Sequence, residues 1–233
     1  MKKIFCFLFL ISLFKFSFSQ MPIIYENPGN DTIRKKIGPN RTHFIHPYIE
    51  LNFACSEENN NLSKINYFSS NGLNLGVKYK LKLLKPISIG LDLSYRSTNF
   101  YLKQNAERIA LTSIKYKYES INFNNRLGLG AFLRINYTKR GNYLGKYIES
   151  ELVYDYSFNM KYKVKYSNAN STEKKITNYR NTIYNDINYY LNLKFGFNKF
   201  ALICEYRISD LFKNNNIFYE LPRYNLGIQY AIF

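Results

Sequence analysis

The sequence predicts an all-β fold, an antiparallel up-and-down transmembrane β-barrel of about eight strands, with ten as the alternative. Apolar and polar residues alternate with a period of two in segment after segment, most clearly at 73–83. Successive side chains of a strand point to opposite faces, so each segment has one apolar and one polar face. An export signal precedes these segments, and short connections alternate with long ones. Together these observations favour a barrel that is apolar towards lipid and polar inside.

The first residues have the order of a secretory signal peptide. A positive start is followed by an apolar run over 4–14 and by a small-x-small cleavage site at 17–19. The apolar run is shorter than the ~20 residues that a membrane-spanning helix needs. We therefore predict a cleaved signal peptide at 1–19, a polar periplasmic tail at 20–42 and an outer-membrane β-barrel at 43–233.

The first three predicted strands cover 44–54, 73–83 and 87–97. Their odd-numbered residues are mostly apolar and their even-numbered residues mostly polar, so the odd-numbered set is assigned to the lipid face. Lys85-Pro86 marks the turn before strand three, because proline cannot donate a hydrogen bond to a strand ladder.

Strands four and five are longer than the first three. Strand four covers 120–135, where Ile121 and Phe123 share the parity of the outward leucines. Strand five alternates over 148–166, beyond the ~9–11 residues that a membrane strand needs, so we expect it to project from the bilayer. Splitting these two strands would give the ten-stranded alternative, and the segment at 98–118 is expected to hold an extra strand or a short helix. The apolar parity of strand five includes Met160, Tyr162 and Val164, and the charged parity includes Glu149, Glu151, Asp155, Lys161, Lys163 and Lys165.

Strands six to eight cover 184–197, 200–209 and 222–233, with a two-residue hairpin turn at 198–199. The segment at 167–181, before strand six, is expected to be a polar loop. Connections after strands two, four and six are short, whereas those after strands one, three, five and seven are long and polar. Outer-membrane barrels have short periplasmic turns and longer external loops, and an even strand number places both termini in the periplasm.

The chain carries a formal net charge of +17. So positive a charge raises nucleic acid as a partner, but the export signal and the lack of a nucleic-acid motif argue against that class. Lipopolysaccharide phosphates are the better anionic partner, unless the cations only line the lumen and the loops. Cys55 and Cys204 fall on non-adjacent strands, so both are expected to be free thiols. No zinc spacing or nucleotide loop is present, and no cofactor is expected.

Three stretches carry a resemblance to a known family: the end of the signal peptide, the segment 153–162 and the closing segment 226–233. Through them, and over about 44–233, the chain resembles small outer-membrane β-barrel proteins of the porin-like, OmpA/OmpX type. The resemblance implies a barrel architecture, contact with outer-membrane lipid and lipopolysaccharide, and the barrel-assembly machinery as a partner during insertion. Phe233 fits the terminal aromatic residue of such an assembly signal, although the residue two positions earlier is Ala231.

The lumen of an eight-stranded barrel is just wide enough to be filled by side chains. Buried charges must be paired, so the mixture of acidic and basic residues on the inward parity predicts an internal ion-pair network. A narrow porin-like channel for small solutes is the alternative. The side chains predicted to point inward are Asn74, Lys78, Lys80, Lys82, Asp92, Arg96, Glu149, Glu151, Asp155, Asp186, Lys194, Glu205, Arg207 and Arg223.

A lipid A-modifying enzyme is a further alternative, since some small outer-membrane barrels act on lipid A with histidine, serine and a carboxylate. This chain has only His43 and His46, both at the predicted periplasmic rim. Chemistry on external lipid needs its base within about 3 Å of the nucleophile, at the other end of the barrel. We therefore assign no catalytic residue and expect no enzyme. A metal site at His43, His46 and Glu50 is disfavoured because Pro47 disturbs its geometry.

Surface interaction is the third hypothesis, because long loops on a rigid base can hold binding residues. A one-sided run of lysines lies where strand five projects, and we predict that it contacts lipopolysaccharide phosphates or another anionic partner. The expected protein is a monomer with a structural or surface-interaction role in the outer membrane of a Gram-negative-type cell. The candidate patch consists of Lys161, Lys163, Lys165, Lys174, Lys175 and Arg180.

Overall fold

The computed structural model describes residues 36–55, 61–107, 109, 116–138, 141–168, 171–179, 183–213 and 218–233. The predicted signal peptide and most of the predicted tail lie outside these residues. A short 3-10 helix at Asn61–Ser63 follows the first strand. The strands within the described residues are β1 (His43–Ala54), β2 (Asn71–Lys82), β3 (Ile87–Tyr101), β4 (Tyr118–Asn136), β5 (Lys146–Asn168), β6 (Ser171–Tyr179), β7 (Ile187–Phe197), β8 (Phe200–Arg207) and β9 (Tyr224–Ala231).

Eight of these strands close into a ring of antiparallel neighbours. Their order is β4-β3-β2-β1-β9-β8-β7-β5, and pairing between β4 and β5 completes the ring. The first and last strands meet at the β1–β9 seam, where Leu51 lies opposite Ile228. The remaining strand, β6, pairs with the far end of β5 and stands outside the ring. The predicted fold class, an all-β up-and-down barrel of eight strands, is confirmed.

Side-chain exposure alternates along the barrel strands with the period of two that the sequence predicts. On β3, Leu93 is 60% exposed, whereas its neighbours Asp92 and Ser94 are 3% and 6% exposed. β7 and β9 alternate between buried and exposed residues over their whole length. Since the exposed set is mainly leucine, isoleucine, tyrosine and phenylalanine, the ring has an apolar belt around a polar interior.

The connections differ in length between the two ends of the barrel. Residues 83–86, 137–145 and 198–199 connect strands at one end, which we call the short-turn end. The longer connections, among them 55–70 and 208–223, lie at the other end, which we call the long-loop end. This asymmetry agrees with the connection lengths expected from the sequence.

Strand β4 contains one more residue than β3 over the same stretch of pairing. Arg96 lies opposite Arg126, but Thr98 lies opposite Phe123, so β4 advances three residues while β3 advances two. An extra residue of this kind is a β-bulge, and the side chains on its two sides alternate in opposite phase. The pairing of β4 with β5 is irregular at the same level.

Because of these irregularities in β4 and β5, two expectations about which residues face lipid are wrong. Ile121 and Phe123, expected on the outer face of strand four, are each 1% exposed. On β5 the alternation also inverts after Phe158, so that Met160 and Val164 are buried. The lysines of this part of β5 share the odd numbering of the buried acidic residues, but the inversion places them on the opposite, outer face.

The expectation of a polar loop at 167–181 is wrong over 171–179, because β6 forms there. β5 is 23 residues long; it pairs with β7 up to Tyr156 and with β6 from Met160 onward. The strand thus changes partner at the level where it changes phase. The resulting β5–β6 hairpin continues past the ring, as the length of strand five predicts.

An apolar cluster lies at the long-loop end. The rings of Phe123 and Tyr184 have centroids 5.7 Å apart, and those of Phe212 and Phe218 are 5.4 Å apart. Tyr162, on the inner face of the hairpin, packs edge-on against Phe218 at 5.3 Å. The apolar residues of the inner face of the β5–β6 hairpin, Met160, Tyr162 and Tyr179, thus belong to this cluster or pack against it.

The segment expected at 98–118 to hold a strand or a helix contains a little of each. β3 continues to Tyr101, and residues 106, 107 and 109 are helical. Residues 108 and 110–115 lie outside the described part of the chain. Within the described ranges, no helix is long and apolar enough to cross a membrane.

Candidate functional site: the charged lumen and the lysine hairpin

A chain of ion pairs crosses the middle of the lumen. The Lys78 ammonium lies 3.4 Å from Asp92 and 3.3 Å from Glu151, and it also contacts Glu149. Lys194 continues the chain, at 2.8 Å from Glu151 and 3.3 Å from Glu50. These six side chains come from five strands, β1, β2, β3, β5 and β7, so the pairing connects strands that are not neighbours in the ring.

Arg134 extends this chain towards the short-turn end. Its guanidinium nitrogens lie 2.6 and 2.7 Å from one carboxylate oxygen of Glu149. The same guanidinium stacks over the Tyr147 ring at 4.1 Å. Both side chains are buried, so the charge of Arg134 is satisfied within the protein rather than by solvent.

A second group of ion pairs lies nearer the long-loop end. Arg126 contacts Asp155 at 2.7 Å and donates a hydrogen bond to the Tyr190 hydroxyl at 2.7 Å. Arg96 pairs with Glu205 and stacks 4.4 Å above the Tyr190 ring. Aromatic faces attract cations, so Tyr190 supports both guanidinium groups.

Neutral side chains complete the network. The Tyr48 hydroxyl donates to Asp92 at 2.9 Å, and the amides of Asn52 and Asn74 donate to Glu50 at 2.8 and 2.7 Å. A cavity among these residues has a volume of about 10 Å³. That volume is about the minimum that holds one water molecule. The middle of the lumen is therefore filled by side chains.

The structure places most of the predicted lumen residues inside, with three exceptions. Lys82 is half-buried at the short-turn end, and Asp186 is half-buried beyond the start of β7. Arg223 pairs with the exposed Asp210 at the long-loop end. The prediction also omits Arg126 and Arg134, although both have the inward parity of strand four beyond the bulge and could have been found from it.

The two histidines lie at the short-turn end of β1, as predicted. His43 Nδ1 is 2.8 Å from the Tyr79 hydroxyl oxygen. His46 is fully buried, stacked on Phe44 with ring centroids 4.7 Å apart and edge-on to Phe233 at 5.9 Å. Within the described residues, no group of three or more histidine, cysteine or acidic side chains is placed to hold a metal ion.

The two cysteines of the described residues, Cys55 and Cys204, are free, as predicted. Cys55 follows β1 and Cys204 lies on β8, and β9 separates these two strands. Partial burial raises the pKa of the Cys55 thiol, and the neighbouring Cys204 adds to the shift.

The hairpin separates the lysines of the predicted patch onto two faces. Lys161 and Lys163 lie opposite Asn178 and Ile176, and Lys165 lies opposite Lys174 in the strand pairing. Directly opposed residues share a face of a sheet, so these positions form one row on the outer face. Lys175 lies opposite the buried Val164 and so belongs to the inner face. Arg180 lies outside the described residues.

Phe233, the predicted assembly signal, lies at the short-turn end, two positions beyond the buried Ala231. Its ring is edge-on to Phe44 at 5.2 Å, and the Lys199 ammonium lies 5.0 Å from the ring centroid. Phe233 thus has the inward parity of β9, whereas Tyr230 faces outward. Its role in assembly stays a prediction.

The strand pairing and the side-chain distribution define the class: a closed eight-stranded barrel with an apolar outer belt and an ion-paired interior. No family model matches the sequence, and no curated protein matches it. Among solved structures, the chain is similar to the N-terminal β-barrel domain of Pseudomonas aeruginosa OprF, at 11% identity and a TM-score of 0.29, over 84% of this chain and 99% of that one. It is also similar to Ail, the attachment invasion locus protein of Yersinia pestis, solved with the heparin analogue sucrose octasulfate, at 14% identity and a TM-score of 0.35, over 81% of this chain and 97% of that one. Because these values are low, the class of this chain rests on its own geometry.

Proposed function

We propose that this chain is an integral outer-membrane β-barrel protein, exported through a cleaved signal peptide, with a structural or surface-interaction role and no catalysis. The observation that carries the proposal is the apolar belt on a closed ring. Leu91, Leu129 and Leu202 are all more than half exposed, on three different strands. An apolar surface that surrounds a barrel is stable against hydrocarbon, and closure leaves no unpaired strand edge in the ring.

The environment of the belt can be tested on the processed chain. We expect the protein to fractionate with the outer membrane and to need detergent to remain monodisperse after purification. A processed chain that stays a soluble monomer without detergent would contradict the proposal, because water would then cover the apolar belt.

The filled lumen favours a structural barrel over a narrow channel. Opening a path would separate Lys78 and Lys194 from the carboxylates that surround them, and Arg134 from Glu149. Separating buried ion pairs is costly, since each charge is left without a partner. In planar bilayers we therefore expect no steady ion current from the purified protein. A reproducible single-channel conductance would support the channel instead.

The geometry also disfavours a lipid A-modifying enzyme based on the histidines. His43 and His46 lie at the short-turn end, whereas the hairpin and long loops lie at the other end. We expect the double variant His43→Ala, His46→Ala to leave lipid A composition unchanged in cells. A changed lipid A profile would restore the enzyme hypothesis.

For the surface-interaction role, we propose that the outer face of the hairpin binds lipopolysaccharide phosphates. Lys161, Lys163 and Lys165 are partly exposed at every second position of one strand. Ser120 and Asn122 of β4 lie opposite Lys163 and Lys161 but are buried, so the lysines alone carry the proposal. Ammonium groups are strong donors to phosphate oxygens, and a regular row of them suits a surface with repeated phosphates.

The two faces of the hairpin provide a matched test. Lys163→Gln on the outer face should weaken binding of purified lipopolysaccharide more than Lys175→Gln on the inner face, although each removes one charge. The triple variant Lys161→Gln, Lys163→Gln, Lys165→Gln should weaken it further. Calorimetric titration in detergent measures both effects. Unchanged binding by the triple variant would remove the proposed patch.

A further inference from the structure

Charge is distributed unequally between the two ends of the barrel. The described parts of the short-turn end, with the strand residues that border them, have basic side chains and no acidic one. The long connections contain both signs: Asp210 and Glu220 accompany Lys213 and Arg223 in 208–223, for example. We call the basic end the short-turn rim. Its described cations are Lys36, Arg41, Lys82, Lys85, Lys146 and Lys199.

Two recesses adjoin on this rim and share Thr138 as a wall. One has a volume of about 450 Å³ and is lined by Lys82, Lys85, Asn136 and neighbouring turn residues. The other, of about 340 Å³, is lined by Lys146 and Tyr143 among others. Each recess therefore combines a basic side chain with hydroxyl or amide groups, which is the chemistry that holds a phosphodiester.

Large apolar side chains surround the same rim on the outside. Leu84, Tyr137 and Phe197 are 60%, 62% and 64% exposed, although they lie within or beside the turns. The Lys146 ammonium lies 5.7 Å from the centroid of the Phe197 ring. Aromatic residues at such a level anchor a barrel at the lipid–water interface, and lysines extend their charge towards the headgroups.

We infer that the short-turn rim binds the headgroups of anionic phospholipids in the leaflet that meets this end. The inference rests on the proposed function, because it needs the belt to lie in a bilayer. The apolar side chains then contact acyl chains while Lys85 and Lys146 reach the phosphates in the two recesses. Lys82 and Lys199 donate to oxygens of the protein itself. Because the described rim has no acidic side chain beside Lys85 and Lys146, anionic lipid is the partner whose charge fits.

Lipid binding by the processed chain in an uncharged maltoside detergent tests the inference. Native mass spectrometry during titration measures the affinity for phosphatidylglycerol and for phosphatidylcholine. We expect tighter binding of phosphatidylglycerol, and a loss of about five-fold for each rim lysine removed, in the variants Lys85→Gln and Lys146→Gln. Phosphatidylcholine binding should not change, because its headgroup has no net charge.

The control is the double variant Lys64→Gln, Lys103→Gln, which removes two charges at the long-loop end, as many as Lys85→Gln and Lys146→Gln remove together, and should leave phosphatidylglycerol affinity unchanged. An equal loss in this control would show that only net charge matters and would overturn the inference. Equal affinity for the two lipids would also overturn it. Displacement of lipid by soluble glycerol 3-phosphate would assign the recesses to a free phosphate ester instead. The proposed function fails separately, if the protein needs no detergent.

Discussion

At the scale of single residues, each carboxylate of the lumen network contacts a cation from another strand; these carboxylates are Glu50, Asp92, Glu149, Glu151, Asp155 and Glu205. Glu149, which is 1% exposed, contacts both Lys78 and Arg134. A buried ion pair contributes little net stability over an apolar pair, but removal of one partner leaves an uncompensated buried charge. The network therefore makes the filled lumen sensitive to each of its members.

Glu149→Gln should lower the free energy of unfolding by about 3–5 kcal/mol, since it leaves Lys78 and Arg134 short of a counter-charge. Urea unfolding from lipid vesicles, followed by circular dichroism, measures the change. Asp210→Asn is the matched control: its pair with Arg223 is 63% and 31% exposed, so a change below about 1 kcal/mol is expected. Equal effects would mean that water enters the lumen.

A substitution of Leu91 tests whether hydrocarbon surrounds the apolar belt, again by its effect on stability. Leu91 is 56% exposed at the centre of the apolar belt, and an arginine there should destabilise the barrel by about 2–4 kcal/mol if hydrocarbon surrounds it. Phe68→Arg is the control, because Phe68 is 97% exposed in a long loop and should tolerate the charge. If both variants unfold at the same urea concentration as the unmodified protein, the belt does not contact lipid.

At the scale of elements, the extra residues in β4 and β5 give each strand two regions of opposite phase. Between the short-turn end and the bulge, the inward residues of β5 include the charged side chains that join the lumen network. Between the bulge and the long-loop end, the inward residues of β5 are Met160, Tyr162 and Val164, which continue the apolar interior. The inversion also places the hairpin lysines on the outer face, where phosphate groups could reach them.

Two neighbouring residues report on this inversion. Met160→Ala should cost about 2–5 kcal/mol, because Met160 is fully buried in the apolar cluster. Lys161→Ala should cost less than about 0.5 kcal/mol, as exposed substitutions usually do. The same unfolding assay compares them. If Lys161 proved the more sensitive residue, the alternation of strand five would run unbroken past Phe158.

At the scale of the whole molecule, the barrel is filled because large side chains on one strand fit against glycines on its neighbour. The Tyr147 ring of β5 lies across Gly196 of β7, where an added Cβ atom would come within 2.0 Å of the ring. The Tyr48 ring of β1 covers Gly76 of β2 in the same manner, at 2.6 Å. Close packing of this kind leaves little room for a continuous pore.

Gly196→Ala should therefore destabilise the protein by about 1–3 kcal/mol through overpacking against Tyr147. Gly141→Ala is the control, because a Cβ atom there would meet nothing closer than 3.3 Å. Thermal or urea unfolding of the two variants measures the difference. A neutral Gly196→Ala would indicate that the Tyr147 ring moves freely and that the lumen is looser than this packing implies.

Between the short-turn end and the bulge, the sequence predicts residue by residue which side chains face outward. Leu91 faces outward and Asp92 inward because a strand alternates, and that property depends only on neighbouring residues in the chain. Between the bulge and the long-loop end, the direction of each side chain was not predictable in this way. Met160 and Lys161 alternate in sequence without interruption, and the bulge that inverts them arises from pairing with β4, which the strand's own pattern does not contain.

The sequence by itself determined the strands of the ring and the apolar parity of each strand up to the bulge, because these are local patterns. Only the tertiary structure decided the partners of each charge, such as Lys78 and Glu149, which are 71 residues apart. It also decided that β6 forms: most of its own residues are polar, and the unpaired edge of β5 supplies the hydrogen bonds that make it a strand. Both outcomes depend on how distant strands are placed side by side when the ring closes.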